Sequence, residues 1–257
     1  MQKIIDVITY NGEWELFEIR YNILKDFVDE FIVVEFDKTF SGKPKSWHFI
    51  EDFKGHKFKN VCYHGIEEKD YSKYKELAES SPNTKGAEHW KLEFMQKESI
   101  KDALAIHHLK DDDIVFIGDC DEIWDIGYVV KEIPCKLKLR VYTYFLNNLS
   151  NEVFWGTLIA RYGDIKNECL NHLRTNTNKD TNYNGWHFTS LKDGLAKKLE
   201  DSYTKESYAT PEVMANLEEN IKNTKDFLGR DFTYKIDETD WPPWLKKNRE
   251  KFAHLLK

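Results

Sequence analysis

The sequence contains little cysteine, and the cysteines it has are scattered. Only 4 of its 257 residues are cysteine, and no two form a Cys-x-x-Cys pair: Cys62, Cys120, Cys135 and Cys169. Closely spaced pairs are typical of zinc sites, and evenly paired cysteines in short secreted chains indicate disulfides. The spacing therefore argues against both and favours free thiols in a reducing compartment.

Long apolar runs and blocks of one charge are also missing. The apolar run near the amino terminus is broken at Asp6, and no segment approaches the roughly 18 uninterrupted apolar residues of a membrane span. The formal net charge is -7, with acidic and basic residues mixed along the chain. A basic surface for nucleic-acid phosphates is not indicated. We expect a cytoplasmic protein that neither spans a membrane nor binds nucleic acid.

The composition and the order of apolar segments predict an α/β fold. Hydrophobic residues make up 40% of the chain and charged residues 32%, and no repeat or linker divides it, so we expect a single domain over residues 1–257. A β-α-β opening predicts a mostly parallel, twisted sheet flanked by helices, followed by a helical C-terminal part from residue 192. The predicted elements are strands at 4–8, 31–36, 57–63, 114–117, 141–149, 153–162 and 185–189, and a long helix at 87–108 that buries Leu92, Met95, Ala103 and Ile106.

The segment most suggestive of chemistry is the acidic pair Asp119 and Asp121, which follows the apolar run 114–117. Strand alternation would send both carboxylates to the same side, where their repulsion calls for a cation. Oxygen ligands suit Mg²⁺ or Mn²⁺, and ligands of open α/β sheets bind beyond the carboxyl ends of the strands. A cation there would hold a diphosphate as a leaving group.

Two other interpretations of this pair stay open. One is a solvated acidic turn after a core strand. The other is a phosphatase with a nucleophilic aspartate, although the position in mid-chain and the continuation Glu122-Ile123-Trp124 weaken it. A second candidate is the segment that contains Trp186 and His187. His187 could complete a metal shell or serve as a hydrogen-bonded structural residue, and Trp186 could stack on a sugar or pack in the core.

Taken in order, blocks along nearly the whole chain resemble glycosyltransferase family 17, which includes the β-1,4-mannosyl-glycoprotein β-1,4-N-acetylglucosaminyltransferases. The resemblance implies a GT-A fold, a UDP-sugar donor (UDP-GlcNAc), a glycan acceptor and inversion at the anomeric carbon. The blocks that carry it lie at residues 6–13, 15–20, 33–35, 39–45, 90–96, 113–123, 155–156, 173–174, 185–188, 227–230 and 248–252.

The resemblance also implies roles for particular residues. Asp119 and Asp121 match the family's Asp-x-Asp, and His187 stands where such enzymes often place a metal-binding histidine, so these three are the expected ligands of Mn²⁺ or Mg²⁺. Donor-binding roles are expected at Asn11, Glu13, Glu35, Lys43, Asp119, Trp186 and Arg230. The general base is expected at Asp193 or Glu206, whereas strand alternation argues against Glu122.

The sequence departs from the family pattern in two places. Trp124 stands where many relatives have proline, and residues 204–206 stand where relatives carry a His-x-Glu, which puts acceptor handling in doubt. The chain begins almost at its first strand, without the anchor and stem of the animal Golgi enzymes. It therefore resembles a bacterial or viral catalytic domain, whose acceptor need not be an N-glycan. The alternative is a non-catalytic sugar- or nucleotide-binding protein that keeps a degenerate transferase fold.

Overall fold

The computed structural model of the chain describes residues 2–82, 84–85, 90–127, 132–202 and 208–257. The strands are β1 Ile4–Thr9, β2 Glu30–Phe36, β3 Val61–Ile66, β4 Ile114–Asp119, β5 Glu122–Trp124, β6 Cys135–Thr143, β7 Asn148–Arg161, β8 Asn178–Thr189 and β9 Tyr234–Ile236. The helices are α1 Trp14–Leu24, α2 His48–Asp52, α3 Glu68–Tyr71, α4 Lys75–Ser80, α5 Trp90–Glu98, α6 Ile100–Ala105, α7 Tyr162–Asn167, α8 Leu170–Asn176, α9 Leu195–Asp201, α10 Pro211–Asn223 and α11 Pro243–Lys247, with 3-10 turns at Ser72–Tyr74 and Arg249–Leu255.

One mixed sheet organises the described part of the chain. Its strand order is β3-β2-β1-β4-β7-β6-β8-β5, and β9 pairs with β7. The strands β3, β2, β1 and β4 are parallel neighbours, whereas β7 is antiparallel to both β4 and β6. The first three strands progress along the sheet in one direction, and β4 then returns to the other side of β1. The sheet therefore has a topological switch point between β1 and β4, where α/β proteins bind their ligands.

Both faces of the parallel strands β1, β2 and β4 are largely buried, and successive side chains along each strand point to opposite faces. In β2, Phe31 and Val33 join the core layer that contains α1 and the C-terminal helices, while Ile32 and Val34 join the layer that contains α6, α7 and α8. A third apolar cluster links Tyr144 to α9 and α10. Helices on both faces confirm the α/β fold class. No helix within the described residues is long and apolar enough to cross a membrane.

Several predicted boundaries were wrong for local reasons. The predicted helix at 87–108 is divided at Ser99, whose hydroxyl donates to the Gln96 carbonyl (2.7 Å). Ile106 is 62% exposed rather than inward-facing. The predicted strand 141–149 ends early, because Tyr144 adopts a positive φ of 68° and a turn leads into β7 at Asn148. These breaks arise from single residues, so periodicity over a longer window does not detect them.

Candidate active site

The acidic pair lies at the carboxyl end of β4, beside the switch point. Asp119 is the last residue of β4, Cys120 and Asp121 form a turn, and β5 begins at Glu122. Strand alternation therefore does not relate Asp121 to Asp119, because the strand ends before Asp121. The turn nevertheless brings both aspartates to one cavity of about 430 Å³, and Glu122 lines it too. The prediction that Glu122 points away is wrong for the same reason.

A buried ion pair holds both ends of this turn. Arg20 of α1 and Asp6 of β1 are fully buried and form two hydrogen bonds, each 2.7 Å long. The remaining Arg20 nitrogen donates to the backbone carbonyls of Asp119 (3.1 Å) and Glu122. The Trp124 indole donates to the same Asp6 carboxylate (2.9 Å). The turn is thus anchored from beneath through its backbone, which leaves its carboxylates directed at the cavity.

Asp119 is paired with a buried lysine. The Lys97 ammonium of α5 contacts the Asp119 carboxylate and the Thr9 hydroxyl (3.1 Å), and the Thr9 hydroxyl also donates to Asp119. The Lys97 side chain is only 2% exposed, whereas that of Asp119 is 42% exposed. Burial works to raise the pKa of Asp119, but the charges of Lys97 and Arg174 lower that pKa to about 2. Asp119 is therefore a carboxylate at neutral pH.

Asp121 has two different partners. Its carboxylate lies 2.9 Å from the Lys198 ammonium of α9 and 3.5 Å from Nε2 of His187 on β8. Burial works to raise the pKa of Asp121, but Lys198 and His187 together hold it well below its ordinary value. The His187 ring stacks on Phe154, with centroids 4.2 Å apart, and its buried Nδ1 has no hydrogen-bond partner within the described residues. His187 thus presents Nε2 to Asp121 from a fixed ring.

A divalent cation fits Asp121 and His187 better than it fits the predicted trio. Two ligand atoms on one ion lie about 3.0–3.4 Å apart for bonds near 2.1 Å, close to the 3.5 Å between Asp121 Oδ1 and His187 Nε2. Across the described ranges, Asp119 does not join these two in a set of three ligand atoms within 4.8 Å of one another. The pair is suited to two positions of a metal shell, whereas Asp119 lines the same cavity and is paired with Lys97.

Glu122 occupies a space made by two glycines. A Cβ atom on Gly118 would lie 2.7 Å from the Glu122 carboxyl oxygen, and one on Gly156 would lie 2.7 Å from its Cδ. The Thr157 hydroxyl lies 3.2 Å from the same carboxyl group. Burial, followed by the charge of Asp119, raises the pKa of Glu122 above its ordinary value. The cavity therefore contains a carboxyl group with a much higher proton affinity than its neighbours Asp119 and Asp121.

The loop after β1 forms an adjoining wall. The Asn11 backbone N–H donates to the Glu13 carboxylate (2.7 Å), and the Asn11 side chain accepts from Lys45 (2.9 Å). Burial raises the pKa of Glu13, and the charge of Lys198 partly offsets this rise. Asp193 is exposed and lines a neighbouring cavity of about 360 Å³ that shares Asn11, Glu13 and Lys198 with the first. The second predicted base, Glu206, lies outside the described residues.

Two of the predicted donor-binding residues have structural partners instead. Glu35 is fully buried and accepts hydrogen bonds from the ammonium of Lys45 (3.1 Å) and from the backbone N–H groups of His48 (2.7 Å) and Phe49 (3.1 Å). It therefore fixes the start of α2. Trp186 is 4% exposed within the main core layer and donates from its indole to the Asp240 carbonyl (2.6 Å), so its ring is not available to a sugar.

The two predicted diphosphate partners lie at or beyond the rim. Lys43 is half-exposed, and its ammonium lies 3.5 Å from the carboxylate of Asp201, a residue of the cavity wall. Arg230 is held by Asp226 through its guanidinium (2.7 Å) and lines a separate surface cavity of about 600 Å³ with α10. Lys43 is near enough to serve a ligand at the rim, whereas Arg230 is part of the C-terminal packing.

Sequence reasoning missed the cations and one acid that complete the cavity. Lys97 and Glu93 are one helical turn apart on α5, and both face the acidic turn. The Glu93 Oε2 atom is buried without a hydrogen-bond partner among the described residues, and burial raises its pKa. Their spacing of i and i+4 on one helix was the one signal for these two, although α5 carries other polar residues as well. Lys198 lay in a run of charged residues that gave no such signal.

The architecture and site together define the class of protein. A mixed α/β sheet flanked by helices, with an acidic turn at its switch point, is compatible with a GT-A-like fold. The model of glycosyltransferase family 17 matches residues 1–206, a span that includes the acidic turn and His187. The chain therefore belongs to glycosyltransferase family 17, as the sequence resemblance predicted. No curated protein matches the chain.

Proposed function

We propose that the chain is an inverting, metal-dependent glycosyltransferase that transfers GlcNAc from UDP-GlcNAc to a glycan acceptor. The observation that carries the proposal is the acidic turn at Asp119 and Asp121, which faces a cavity at the switch point and lies beside His187. The Asp121 carboxylate and the His187 imidazole can supply two ligands to Mn²⁺ or Mg²⁺, and the membership in family 17 supplies the reaction class.

Asp121 and His187 would hold the cation, which supplies Lewis-acid neutralisation of the diphosphate leaving group. Lys198 now neutralises Asp121, yet its side chain is 47% exposed. An exposed lysine can reorient at low cost, so its ammonium is available to a phosphate oxygen once a cation takes its place. Asn11 and Glu13, on the neighbouring loop, are positioned to contact the nucleoside.

The acceptor hydroxyl needs a carboxylate base on the side away from the leaving group. Asp193 is our first candidate, because it is exposed in the cavity that adjoins Asp121 and Lys198. Glu206 stays a prediction. Glu122 becomes a further candidate, because it lines the cavity and its pKa is raised above the ordinary value, which makes its carboxylate a stronger proton acceptor than Asp119 or Asp121. Asp193→Asn and Glu122→Gln variants should separate them, since loss of the true base lowers kcat while donor affinity is retained.

A thermal-shift screen tests the donor and the metal. UDP, GDP and CDP are added with and without Mn²⁺, and we expect stabilisation by UDP that depends on the metal. Ligand at about 100 times its Kd stabilises by about 2.7 kcal/mol, which corresponds to a rise in Tm of roughly 5–10 °C at this chain length. Asp121→Ala should abolish the metal-dependent part. Asp26→Ala, which removes the same charge from an exposed loop after α1, should leave it unchanged.

The outcomes separate the competing functions. Turnover of UDP-GlcNAc that survives in EDTA-treated Asp121→Ala would overturn the metal assignment. The absence of any nucleotide response favours a sugar-binding protein on a transferase fold. Hydrolysis of a generic phosphoester without turnover of a nucleotide sugar favours an aspartate-dependent phosphatase.

A further inference from the structure

A second cluster of metal-ligating side chains lies at the opposite end of the parallel strands. Glu30 begins β2, Cys62 is the second residue of β3, and His107 follows α6. Among the described residues, these three form the set whose ligand atoms all lie within 4.8 Å of one another. The acidic turn is at the carboxyl ends of the parallel strands, whereas this cluster is at their amino ends. The two sites are therefore separated by the length of the strands.

The three ligand atoms converge on one point. Glu30 Oε1 lies 3.1 Å from Cys62 Sγ and 2.8 Å from His107 Nδ1. In a tetrahedral zinc site with bonds of about 2.0–2.3 Å, neighbouring ligand atoms are about 3.3–3.6 Å apart. In such a shell the two distances from Glu30 would each lengthen by a few tenths of an ångström to about half an ångström, and Cys62 Sγ already lies within 4.8 Å of the His107 ligand nitrogen. The His107 and Glu30 side chains are 8% and 20% exposed, so the point is sheltered but open to solvent.

A fourth residue orients the histidine. Nε2 of His64, two positions beyond Cys62 on β3, lies 2.7 Å from Nε2 of His107, and the two rings meet edge to face. Metal-binding histidines commonly donate their second ring N–H to a neighbouring acceptor, which fixes the tautomer that leaves the other nitrogen free for the metal. His64 is in place to accept that hydrogen bond while Nδ1 of His107 faces Glu30.

We propose that Glu30, Cys62 and His107 form a binding site for a zinc-class divalent cation, with His64 as the positioning residue and the fourth coordination position left to solvent. A thiolate and an imidazole prefer Zn²⁺ or Co²⁺ to Mg²⁺ and Mn²⁺, so the site differs in chemistry from the acidic turn. On binding, lone pairs of the Cys62 sulfur and of His107 Nδ1 form bonds to the metal. The Cys62 thiol proton passes to solvent, and the proton shared by Nδ1 and Glu30 leaves Nδ1, so that His107 is the tautomer that carries its proton on Nε2 and donates it to His64. The two negative charges of thiolate and carboxylate then balance the cation.

The wide spacing of the cysteines is the reason that the sequence did not predict a zinc site. Its ligands come from three segments separated by about 30 and 45 residues, and the parallel pairing of β2 with β3 brings the first two together. A short-spacing rule detects only ligands on one turn or hairpin. A cation here would cross-link β2, β3 and the segment after α6, so we expect it to stabilise the fold rather than take part in sugar transfer.

Cobalt titration of the intact chain tests the proposal. We expect one equivalent of Co²⁺ to produce a thiolate-to-cobalt charge-transfer band, and one equivalent of Zn²⁺ to abolish it by displacement. Cys62→Ser should remove the band. Cys169→Ser is the matched control, because Cys169 is also half-buried and donates to a glutamate, Glu98 (3.4 Å), yet belongs to no such three-ligand set among the described residues.

Two further variants keep the test decisive. His107→Gln should weaken Zn²⁺ binding at least tenfold, and His64→Gln should weaken it by about 10–100-fold with the cobalt band retained. Asp121→Ala should leave the band unchanged, which separates this site from the proposed catalytic cation. A wild-type chain without the band, or a band that persists in folded Cys62→Ser, would overturn the proposal. So would Zn²⁺ affinity that is indifferent to His107→Gln.

Discussion

The buried pair of Arg20 and Asp6 offers the most direct test of how the fold positions the acidic turn. Both side chains are fully buried, and Arg20 also serves the carbonyls of Asp119 and Glu122. Arg20→Met keeps most of the side-chain volume but leaves the Asp6 charge uncompensated and two carbonyls without their donor. Breaking a buried ion pair from one side costs about 3–5 kcal/mol. We therefore expect this loss in the free energy of unfolding, measured by urea denaturation at pH 7.

A double variant separates stability from positioning. Arg20→Met combined with Asp6→Asn removes both charges and keeps an oxygen for the Trp124 indole, so about half or more of the lost stability should return. The unpaired carbonyls of the turn still cost about 1–3 kcal/mol. The double variant still lacks the hydrogen bonds from Arg20 to these carbonyls, so the turn is no longer fixed. Because a misplacement of about 1 Å can lower a rate about 100-fold, we expect sugar transfer to stay at least tenfold below wild type.

Two outcomes would show that Arg20 does not position the turn. If Arg20→Met loses less than about 1 kcal/mol, the ion pair does not hold the turn in solution. If the double variant recovers full transfer activity together with stability, the contacts to the carbonyls are incidental, and the turn is positioned by its neighbours alone. Equal denaturant m-values among the variants are the control that the same folded and unfolded states are compared.

Three further predictions concern the surroundings of the site. Burial works to raise the pKa of Asp226, but its arginine and backbone donors lower it overall, so its contribution to stability is present above about pH 4 and is lost as the pH falls through the lowered pKa. Asp226→Asn should therefore cost about 1–3 kcal/mol in urea unfolding at pH 7, and this cost should shrink as the pH falls through the lowered pKa. Gly156→Ala would place a Cβ 2.7 Å from the Glu122 Cδ, and we expect a loss of about 1–3 kcal/mol and lower activity, whereas Gly127→Ala, with its nearest contact at 3.5 Å, should change neither. Trp186→Phe should lower the Tm but leave the affinity for UDP-GlcNAc unchanged, and a weakened affinity for UDP-GlcNAc with an unchanged affinity for UDP would restore the sugar-stacking interpretation.

The fold class and the central motif could be predicted from the sequence because both depend on local order. An apolar strand followed by Asp119 and Asp121 has its direction fixed by the chain, and the β-α-β opening fixes the edge of the sheet at which the strand ends. The orientation of Asp121 could not be predicted, because it depends on where β4 stops. At that end the Asp119 carbonyl accepts a hydrogen bond from Arg20, about a hundred positions earlier in the chain.

Three of the residues predicted to bind the donor have protein partners in the structure, and these partners could not be predicted for a related reason. Glu35, Trp186 and Arg230 are polar or aromatic residues near strand ends or turns, and nothing local distinguishes a ligand contact from a packing contact. The structure gives each a protein partner: backbone N–H groups for Glu35, a carbonyl for Trp186 and a carboxylate for Arg230. Buried polar groups need such partners, so unsatisfied hydrogen-bonding capacity marks a ligand site better than residue type does.

The two aspartates of the turn differ in how easily their counter-charge can be replaced. Lys97 is 2% exposed and fixed between Asp119 and Thr9, so displacing it would strand a buried ammonium group. Lys198 is 47% exposed, and its departure from Asp121 requires only that it extend into solvent. A cation that binds here can therefore displace Lys198 from Asp121 more easily than it can displace Lys97 from Asp119. This difference supports Asp121 and His187 as the metal ligands. Asp119 then keeps its ion pair with Lys97 when the cation binds.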